Sequence, residues 1–238
     1  MRNGMLVCMA ATLLLLSAGT VYGGGAAGSW GLGTFLDYNR SIFKLKDWYE
    51  TGRGQAGVVF TYVMSPRTSV EMEFHRSIFE NGALEDTPFT WPIDGRDYKS
   101  PDAASEMRIS SFLVNAVVRR GGGGILAKEK YSTYVTVGAG FYDYKTDVSG
   151  LIFPGQREAP LDKDLVIEPF SDSRTALGAN VGLGVEAFVF DNISLDVRAR
   201  YNLLLGELRP MEAWGLEGQT FPMQFLNARG GIRFYFKK

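Results

Sequence analysis

The sequence is poor in cysteine and in histidine, and each shortage excludes a class of chemistry. Among 238 residues there is one cysteine, Cys8, and one histidine, His75. Cys8 lies in an apolar segment near the N-terminus, so the rest of the chain has no disulfide framework, no thiol chemistry and no cysteine-based metal site. A single histidine beside carboxylates is a weak basis for a metal centre. We expect neither a metal nor a cofactor.

The sequence also lacks an excess of positive charge and, after residue 23, any long apolar run. Lys and Arg number 25 against 26 Asp and Glu, so no strongly basic surface is available for a nucleic acid, and none is expected as a partner. A helix that spans a bilayer needs about 20 apolar residues. If the folded part of the chain crosses a membrane, it must do so as a closed barrel of strands.

The first 23 residues are predicted to be a cleaved signal peptide. Arg2 supplies a positive start, and the stretch LVCMAATLLLL (Leu6 to Leu16) is an apolar core of secretory length. The following SAGTVYG offers small residues for cleavage after Gly23. Residues 24–238 then form one domain, and the whole chain is exported.

One stretch near the C-terminus, ISLDVRARY, separates into two faces when every second residue is read. The apolar or interfacial set is Ile193, Leu195, Val197, Ala199 and Tyr201, and the polar set is Ser194, Asp196, Arg198 and Arg200. A period of two predicts a β-strand with one polar and one apolar face. In a soluble sandwich the charges face water, whereas in a membrane barrel they face the interior.

Eight segments are predicted to be strands, and the connections between them alternate in length. The predicted strands are 30–38, 57–64, 69–79, 106–118, 132–144, 175–190, 193–201 and 224–236. Their connections run long, short, long, medium, long, short, long, which is typical of an up-and-down membrane barrel with long external loops. The sequence therefore predicts an all-β fold, an eight-stranded antiparallel transmembrane β-barrel.

The polar face of these strands mixes charged residues with glycine, which indicates where that face points. Glycine weakens a strand on a solvent face, but inside a narrow barrel it makes room for large neighbours. We therefore predict that the charges point inward and pair with one another, because an unpaired buried charge is costly. The predicted interior network is Glu71, Glu73, His75, Glu186, Asp196, Arg198, Arg200, Arg229 and Arg233.

Several stretches resemble one family of membrane proteins. The closing GGIRFYF (Gly230–Phe236) is similar to the last strand of outer-membrane β-barrels, and YVTVGAGFYDY and GVEAFVFDNISLDVRARY resemble hairpins of small barrels of the OmpA-transmembrane, OmpW and opacity-protein type. The resemblance implies that Ile232, Phe234 and Phe236 are read by the barrel-assembly machinery. It also implies a monomer in the outer membrane, in contact with lipid and lipopolysaccharide.

The expected function is that of a non-enzymatic outer-membrane protein, with a plugged lumen and external loops that meet an unidentified partner. Three alternatives stay open. The first is an OmpW-like conduit for small apolar molecules. The second is a secreted lipocalin-like barrel, suggested by the GSW of Gly28–Trp30. The third is a lipid A deacylase-like hydrolase, since His75 and Ser77 share a strand face with Glu73.

The hairpin around Asp191-Asn192 allows a specific register prediction. If Glu186, Asp196 and Arg198 all point inward, residues that face each other across the hairpin must share a face. A three-residue loop, Asp191 to Ile193, opposes Glu186 to Arg198, whereas a loop one residue earlier would oppose Glu186 to Asp196. We predict the Glu186–Arg198 pair, because it sets unlike charges face to face.

Overall fold

The computed structural model describes residues 27–82, 88–120, 131–208 and 219–236. The predicted signal peptide and most of the Arg119–Tyr131 connection lie outside the described residues. The strands are β1 Trp30–Ile42, β2 Tyr49–Gly54, β3 Ala56–Ser65, β4 Thr68–Gly82, β5 Phe89–Thr90, β6 Asp97–Tyr98, β7 Ala104–Arg119, β8 Tyr131–Ser149, β9 Phe170–Phe190, β10 Ile193–Leu208 and β11 Gln219–Phe236. A 3-10 helix, Phe43–Asp47, follows β1. In the described part of the chain, no helix has the length and apolar character needed to cross a membrane.

The long strands form one antiparallel sheet that closes on itself. Each strand pairs with the next along the chain, with β2 and β3 together lying between β1 and β4, and β11 pairs with β1. The row of paired residues that leaves β1 at Trp30 returns to it at Arg40, a stagger of ten residues. Such a stagger tilts the strands of an eight-stranded barrel by roughly 35–45°. The predicted eight-stranded antiparallel barrel is confirmed.

Two ends of the barrel differ in their connections. The turns Pro66–Arg67 and Asp191–Asn192 join β3 to β4 and β9 to β10 at one end, which we call the turn end. The opposite end, the loop end, carries the connections after β1, β4, β8 and β10. The two short turns and the long loops thus lie at opposite ends, as predicted for an up-and-down membrane barrel. The longer connection from β7 to β8 joins its strands at the turn end.

The outer face of the barrel is apolar over a defined height. On β8 the outward residues Tyr131, Val135, Val137 and Phe141 are each about half exposed, while the alternate residues point inward. Ten residues separate the ends of this run, which on a tilted strand gives a belt about 25 Å tall. A secreted ligand-binding barrel needs the opposite polarity, so the lipocalin-like alternative is wrong.

Several strands continue past this belt toward the loop end. β8 has 19 residues and β9 has 21, whereas a tilted strand crosses a membrane in about 9–11 residues. Beyond Phe141 the outward residues of β8 become Asp143, Lys145 and Asp147. The sequence prediction ended this strand at Tyr144, five residues before its end in the structure at Ser149.

Candidate functional site

The nine residues predicted to form the interior network all point into the barrel. Each of the nine residues is at most 3 % exposed. They lie in the half of the interior nearer the turn end: β4 presents Glu71, Glu73 and His75 before it reaches the apolar Phe79. The strand alternation thus brings acids and bases from β4, β9, β10 and β11 to one place.

Glu71 lies at the centre of this charged cluster. Its Oε2 is 2.7 Å from the Arg198 Nη2, and its Oε1 is 2.7 Å from the Arg233 Nη1. The Arg229 Nη2 approaches at 3.6 Å. Three guanidinium groups from β10 and β11 therefore share one carboxylate from β4, across the interior. Such pairs hold opposite walls of the barrel together.

Glu73 forms the second centre and also contacts the histidine. Its Oε1 is 2.8 Å from the Arg200 Nη2 and 3.1 Å from the His75 Nδ1, and its Oε2 pairs with Arg229. The other ring nitrogen of His75 lies 3.8 Å from an Asp37 carboxylate oxygen. His75 is thus enclosed by two carboxylates.

Ser77 is next to His75 on the same face but has a different partner. The Asn39 amide donates a hydrogen bond to the Ser77 Oγ at 3.0 Å. A hydrolase needs a hydrogen bond between nucleophile and base, and access for the substrate. Here both side chains are fully buried, and the contacts of His75 are with carboxylates rather than with the Ser77 hydroxyl.

The predicted register of the β9–β10 hairpin is wrong. Asp191–Asn192 form a two-residue turn that pairs Phe190 with Ile193, and a β-bulge then skips Val189, so that Glu186 faces Asp196. Arg198 faces Gly184 instead. A bulge adds one residue to one strand only, and this restores the inward direction of Glu186 without the three-residue loop that we predicted.

Two arginines from other strands relieve the repulsion between these opposed acids. The Arg233 guanidinium lies 3.1 Å from Asp196 and 3.7 Å from Glu186. Arg119, at the end of β7, lies 2.9 Å from Glu186. The prediction considered only the two strands of the hairpin, whereas in a closed barrel the neighbouring strands and the far wall also supply partners.

Arg119 and Asp37 belong to this cluster and were missed in the sequence. Arg119 was left in the connection after the fourth strand, although it continues the inward alternation of Leu113, Asn115 and Val117. Asp37 shares the inward face of Phe35 and accepts a hydrogen bond from Asn227 at 2.9 Å. The period of two would have found Asp37 within the predicted strand 30–38, and Arg119 one residue beyond the predicted strand 106–118.

Glycine makes room for large interior side chains, as the sequence suggested. A Cβ added at Gly33 would lie 2.8 Å from the Arg233 side chain, and one added at Gly178 would lie 2.6 Å from the Tyr142 ring. Both contacts are closer than real Cβ atoms tolerate. The large side chain therefore needs glycine on the neighbouring strand.

The half of the interior nearer the loop end is apolar. Phe79 and Phe225 meet edge to face, with ring centroids 5.3 Å apart. Around them lie buried apolar side chains from most of the strands and from the 3-10 helix: Leu45, Tyr49, Met107, Ile109, Leu113, Tyr142, Tyr144, Ala176, Leu204 and Met223. We call this set the apolar cluster.

The loops at the loop end have a core of their own. Trp91 is fully buried, and its indole N–H donates to the Pro154 carbonyl at 3.2 Å, joining the β4–β7 loop to the β8–β9 loop. The Tyr98 hydroxyl donates to Asp94, and this hydrogen bond raises the pKa of Tyr98. The buried apolar residues of this loop unit are Phe89, Trp91, Ala103, Val148, Leu151, Ile152 and Leu161.

The three residues predicted to be an assembly signal lie on the outer face of the last strand. Phe236, Phe234 and Ile232 pair with Trp30, Leu32 and Thr34 of β1, where the barrel closes. All three side chains are partly exposed. Recognition by the assembly machinery stays a prediction.

Comparison with known proteins supports the fold. Neither the profiles of known protein families nor the sequences of curated proteins match this chain. Neisserial surface protein A superposes with a TM-score of 0.50 at 13% identity, over 88% of this chain and 99% of that chain. Ail of Yersinia pestis has a TM-score of 0.49 at 15% identity, over 88% and 99%, and OprG of Pseudomonas aeruginosa 0.49 at 12%, over 90% and 98%. The superposition on Neisserial surface protein A shows that this chain shares its β-barrel fold, and the outer face of the barrel is apolar.

Proposed function

We propose that this protein is a monomeric, non-enzymatic surface protein of the outer membrane. Its barrel is a sealed scaffold, and its external loops bind a partner outside the cell. The observation that carries the proposal is the ordered loop unit, which stands on strands that continue past the apolar belt. A loop that serves only to join two strands needs neither a buried tryptophan nor a core of its own.

Two kinds of packing support a sealed interior. The charged cluster fills the half nearer the turn end, and the apolar cluster fills the half nearer the loop end. An eight-stranded barrel has an interior just wide enough for side chains to fill. A path for solutes would have to displace both clusters.

Conductance tests the sealed scaffold. Purified, folded protein in planar bilayers should give no conductance or very small conductance, because side chains occupy the interior. Large and stable channels from the monomer would contradict the proposal. The same recordings test the OmpW-like conduit, which no specific contact in the described residues favours.

Topology can be tested with single cysteines, since Cys8 is the only cysteine in the sequence. Asp164→Cys lies in the β8–β9 loop, and Arg67→Cys lies in the turn after β3; both positions are exposed. On intact cells, a membrane-impermeant maleimide should label the first and spare the second. The unaltered chain controls for Cys8. The reverse labelling would place the loop unit inside the cell envelope and overturn the proposal.

The hydrolase alternative is disfavoured by the contacts of its own residues. His75 lies between Glu73 and Asp37, and Ser77 accepts its hydrogen bond from Asn39. A lipid ester would have to reach an interior filled by arginine side chains. Ser77→Ala should leave lipid A acylation of the host unchanged, and an altered acyl pattern would revive the hydrolase.

A further inference from the structure

Three phenylalanines mark the edge of the apolar belt on one side of the barrel. Phe74, Phe112 and Phe141 pair in one row across β4, β7 and β8, and each is about half exposed. Outward residues on the turn side of this row are mostly apolar, and those on the loop side are mostly polar. The row therefore lies where hydrocarbon meets headgroups.

Basic side chains come next on the same strands. Arg76 follows Phe74 by two residues on β4 and is exposed. One step further toward the loops, Arg53 and Arg108 flank Ile78, and Lys145 continues that row onto β8. Neighbouring strands are about 4.8 Å apart, so these four cations occupy a compact area. We call them the basic row.

Carboxylates lie one step further still from the belt. Glu80, Glu106 and Asp147 are outward residues on the same three strands. Arg53 pairs with Glu80 at 2.8 Å, and Lys145 pairs with Asp147 at 2.8 Å. Arg108 pairs with Glu106 through its Nε and lies 3.3 Å from Asp147 through its Nη1. Positive charge thus lies on the membrane side of the negative charge. A guanidinium has five N–H donors, so one or two ion pairs leave donors available to another anion.

A recess adjoins the basic row on the loop side. It has a volume of about 480 Å³, and its lining includes Glu80, Glu106, Arg108, Asp147, Ser149 and Ser171. Carboxylates and hydroxyls of this kind hydrogen-bond well to sugar hydroxyls. From the belt outward, the wall therefore offers an apolar, then a cationic, then a hydroxyl-binding surface.

We propose that this wall of β4, β7 and β8 binds one phosphorylated glycolipid of the outer leaflet. Its acyl chains lie along Phe74, Phe112 and Phe141, its phosphate contacts Arg76 and Arg108, and its sugars occupy the recess. Arginine suits phosphate because its planar fork can bind two oxygens at once. The proposal rests on the proposed outer-membrane residence.

The other side of the barrel carries fewer cations: β1 presents one exposed arginine, Arg40, beside Leu226 of β11. At the corresponding edge of the belt, β9, β10 and β11 present Thr175, Leu205 and Gln224 outward. None of these carries a positive charge. The glycolipid should therefore bind to one side, rather than form a uniform ring around the protein.

The test measures binding of bis-phosphorylated lipid A to the folded, detergent-solubilised full chain by native mass spectrometry. Arg76→Gln with Arg108→Gln should weaken binding about tenfold, or about 1.4 kcal/mol, because two charges that contact the phosphate are removed. The matched control is Arg67→Gln with Arg120→Gln, two exposed arginines at the turn end, which should change affinity less than about twofold. Dephosphorylated lipid A should bind the unaltered protein as weakly as the double variant binds lipid A.

Three results would overturn the proposal. Equal losses in both double variants would indicate general charge attraction, and equal affinity for the dephosphorylated lipid would remove the phosphate contact. Displacement by inorganic phosphate alone would mean a phosphate site without glycolipid. Unboiled gel migration establishes that each variant is folded, and a double variant that misfolds is replaced by Arg76→Gln alone, which must weaken binding. These results are independent of conductance and of cysteine labelling, so the scaffold proposal can fail separately.

Discussion

The two halves of the barrel interior are filled by opposite chemistry. Near the turn end, five arginines and five carboxylates meet with His75 among them; the set is Asp37, Glu71, Glu73, Glu186, Asp196, Arg119, Arg198, Arg200, Arg229 and Arg233. Near the loop end, the residues that meet are phenylalanine, leucine, methionine and tyrosine. Both halves are buried to a similar degree, yet they respond differently to substitution.

The difference lies in what each contact requires. Apolar packing is non-directional, so it tolerates a change of shape at constant volume. A buried charge requires a specific partner, and removal of that partner leaves a desolvated ion behind. The charged half should therefore be more sensitive to substitution, and its ion pairs can determine which strands face each other across the interior.

The largest expected effect is the loss of one buried carboxylate. Glu73→Leu leaves Arg200 and Arg229 without their shared partner, and we expect it to destabilise the barrel by about 3–5 kcal/mol. Urea unfolding of the protein in lipid vesicles measures the change in the free energy of unfolding. The folded fraction is read from the migration of unboiled samples in gel electrophoresis. In the control, Arg200→Leu combined with Glu73→Leu should cost less than the sum of the two single changes; an additive result would show that the pair does not interact.

The next effect compares the interior with the outer face. Leu183 and Val197 are each 65% exposed on the wall, and Asn180 is buried inside. An arginine at Leu183 or Val197 faces lipid near the middle of the belt and should impair insertion by about 2–4 kcal/mol. Asn180→Ser keeps a small polar side chain in the polar interior and should be milder. Equal folding yields for the two sets would mean that the faces do not differ in environment.

A smaller effect tests the tolerance of the apolar half. Leu204→Met keeps the side-chain volume within the apolar cluster, and we expect it to cost less than about 1.5 kcal/mol. Leu204→Ala leaves a cavity and should cost about 2–5 kcal/mol. Both are measured by the same urea unfolding. If Leu204→Met proved as destabilising as Glu73→Leu, the two halves would be equally sensitive to substitution, and the expected difference between them would be wrong.

Much of the barrel could be predicted because alternation is a local property. In ISLDVRARY every second residue is charged or polar, and the structure exposes Leu195 and Val197 while it buries Asp196 and Arg198. The apolar half of the interior has no such signal. In Leu203-Leu204-Leu205 both faces of the strand are apolar, so the period of two does not show which residue points inward.

The hairpin register and the loop unit depended on contacts that are distant in sequence. The bulge at Val189 places Glu186 opposite Asp196, and Arg119 and Arg233 make that pair tolerable from other strands. Likewise, Trp91 is buried in a core that includes Leu151, Ile152 and Leu161 of another loop, and its hydrogen-bond acceptor, Pro154, is 63 residues away. A strand-by-strand pattern contains neither fact.

The smallest effect is expected in the loop unit, beyond the loop end of the barrel, where the charge of Asp94 is only partly buried. The hydrogen bond from the Tyr98 hydroxyl to Asp94 raises the pKa of Tyr98 above the ordinary value of about 10 for tyrosine. A raised pKa means that the bond stabilises the folded loop below pH ~10 and that this contribution is lost as the pH rises through the folded pKa. Tyr98→Phe should therefore increase loop cleavage by an added protease slightly at neutral pH. The increase should disappear in strongly alkaline solution, while barrel migration on unboiled gels stays unchanged. An equal difference between the two proteins at both pH values would show that the hydroxyl does not act through its proton.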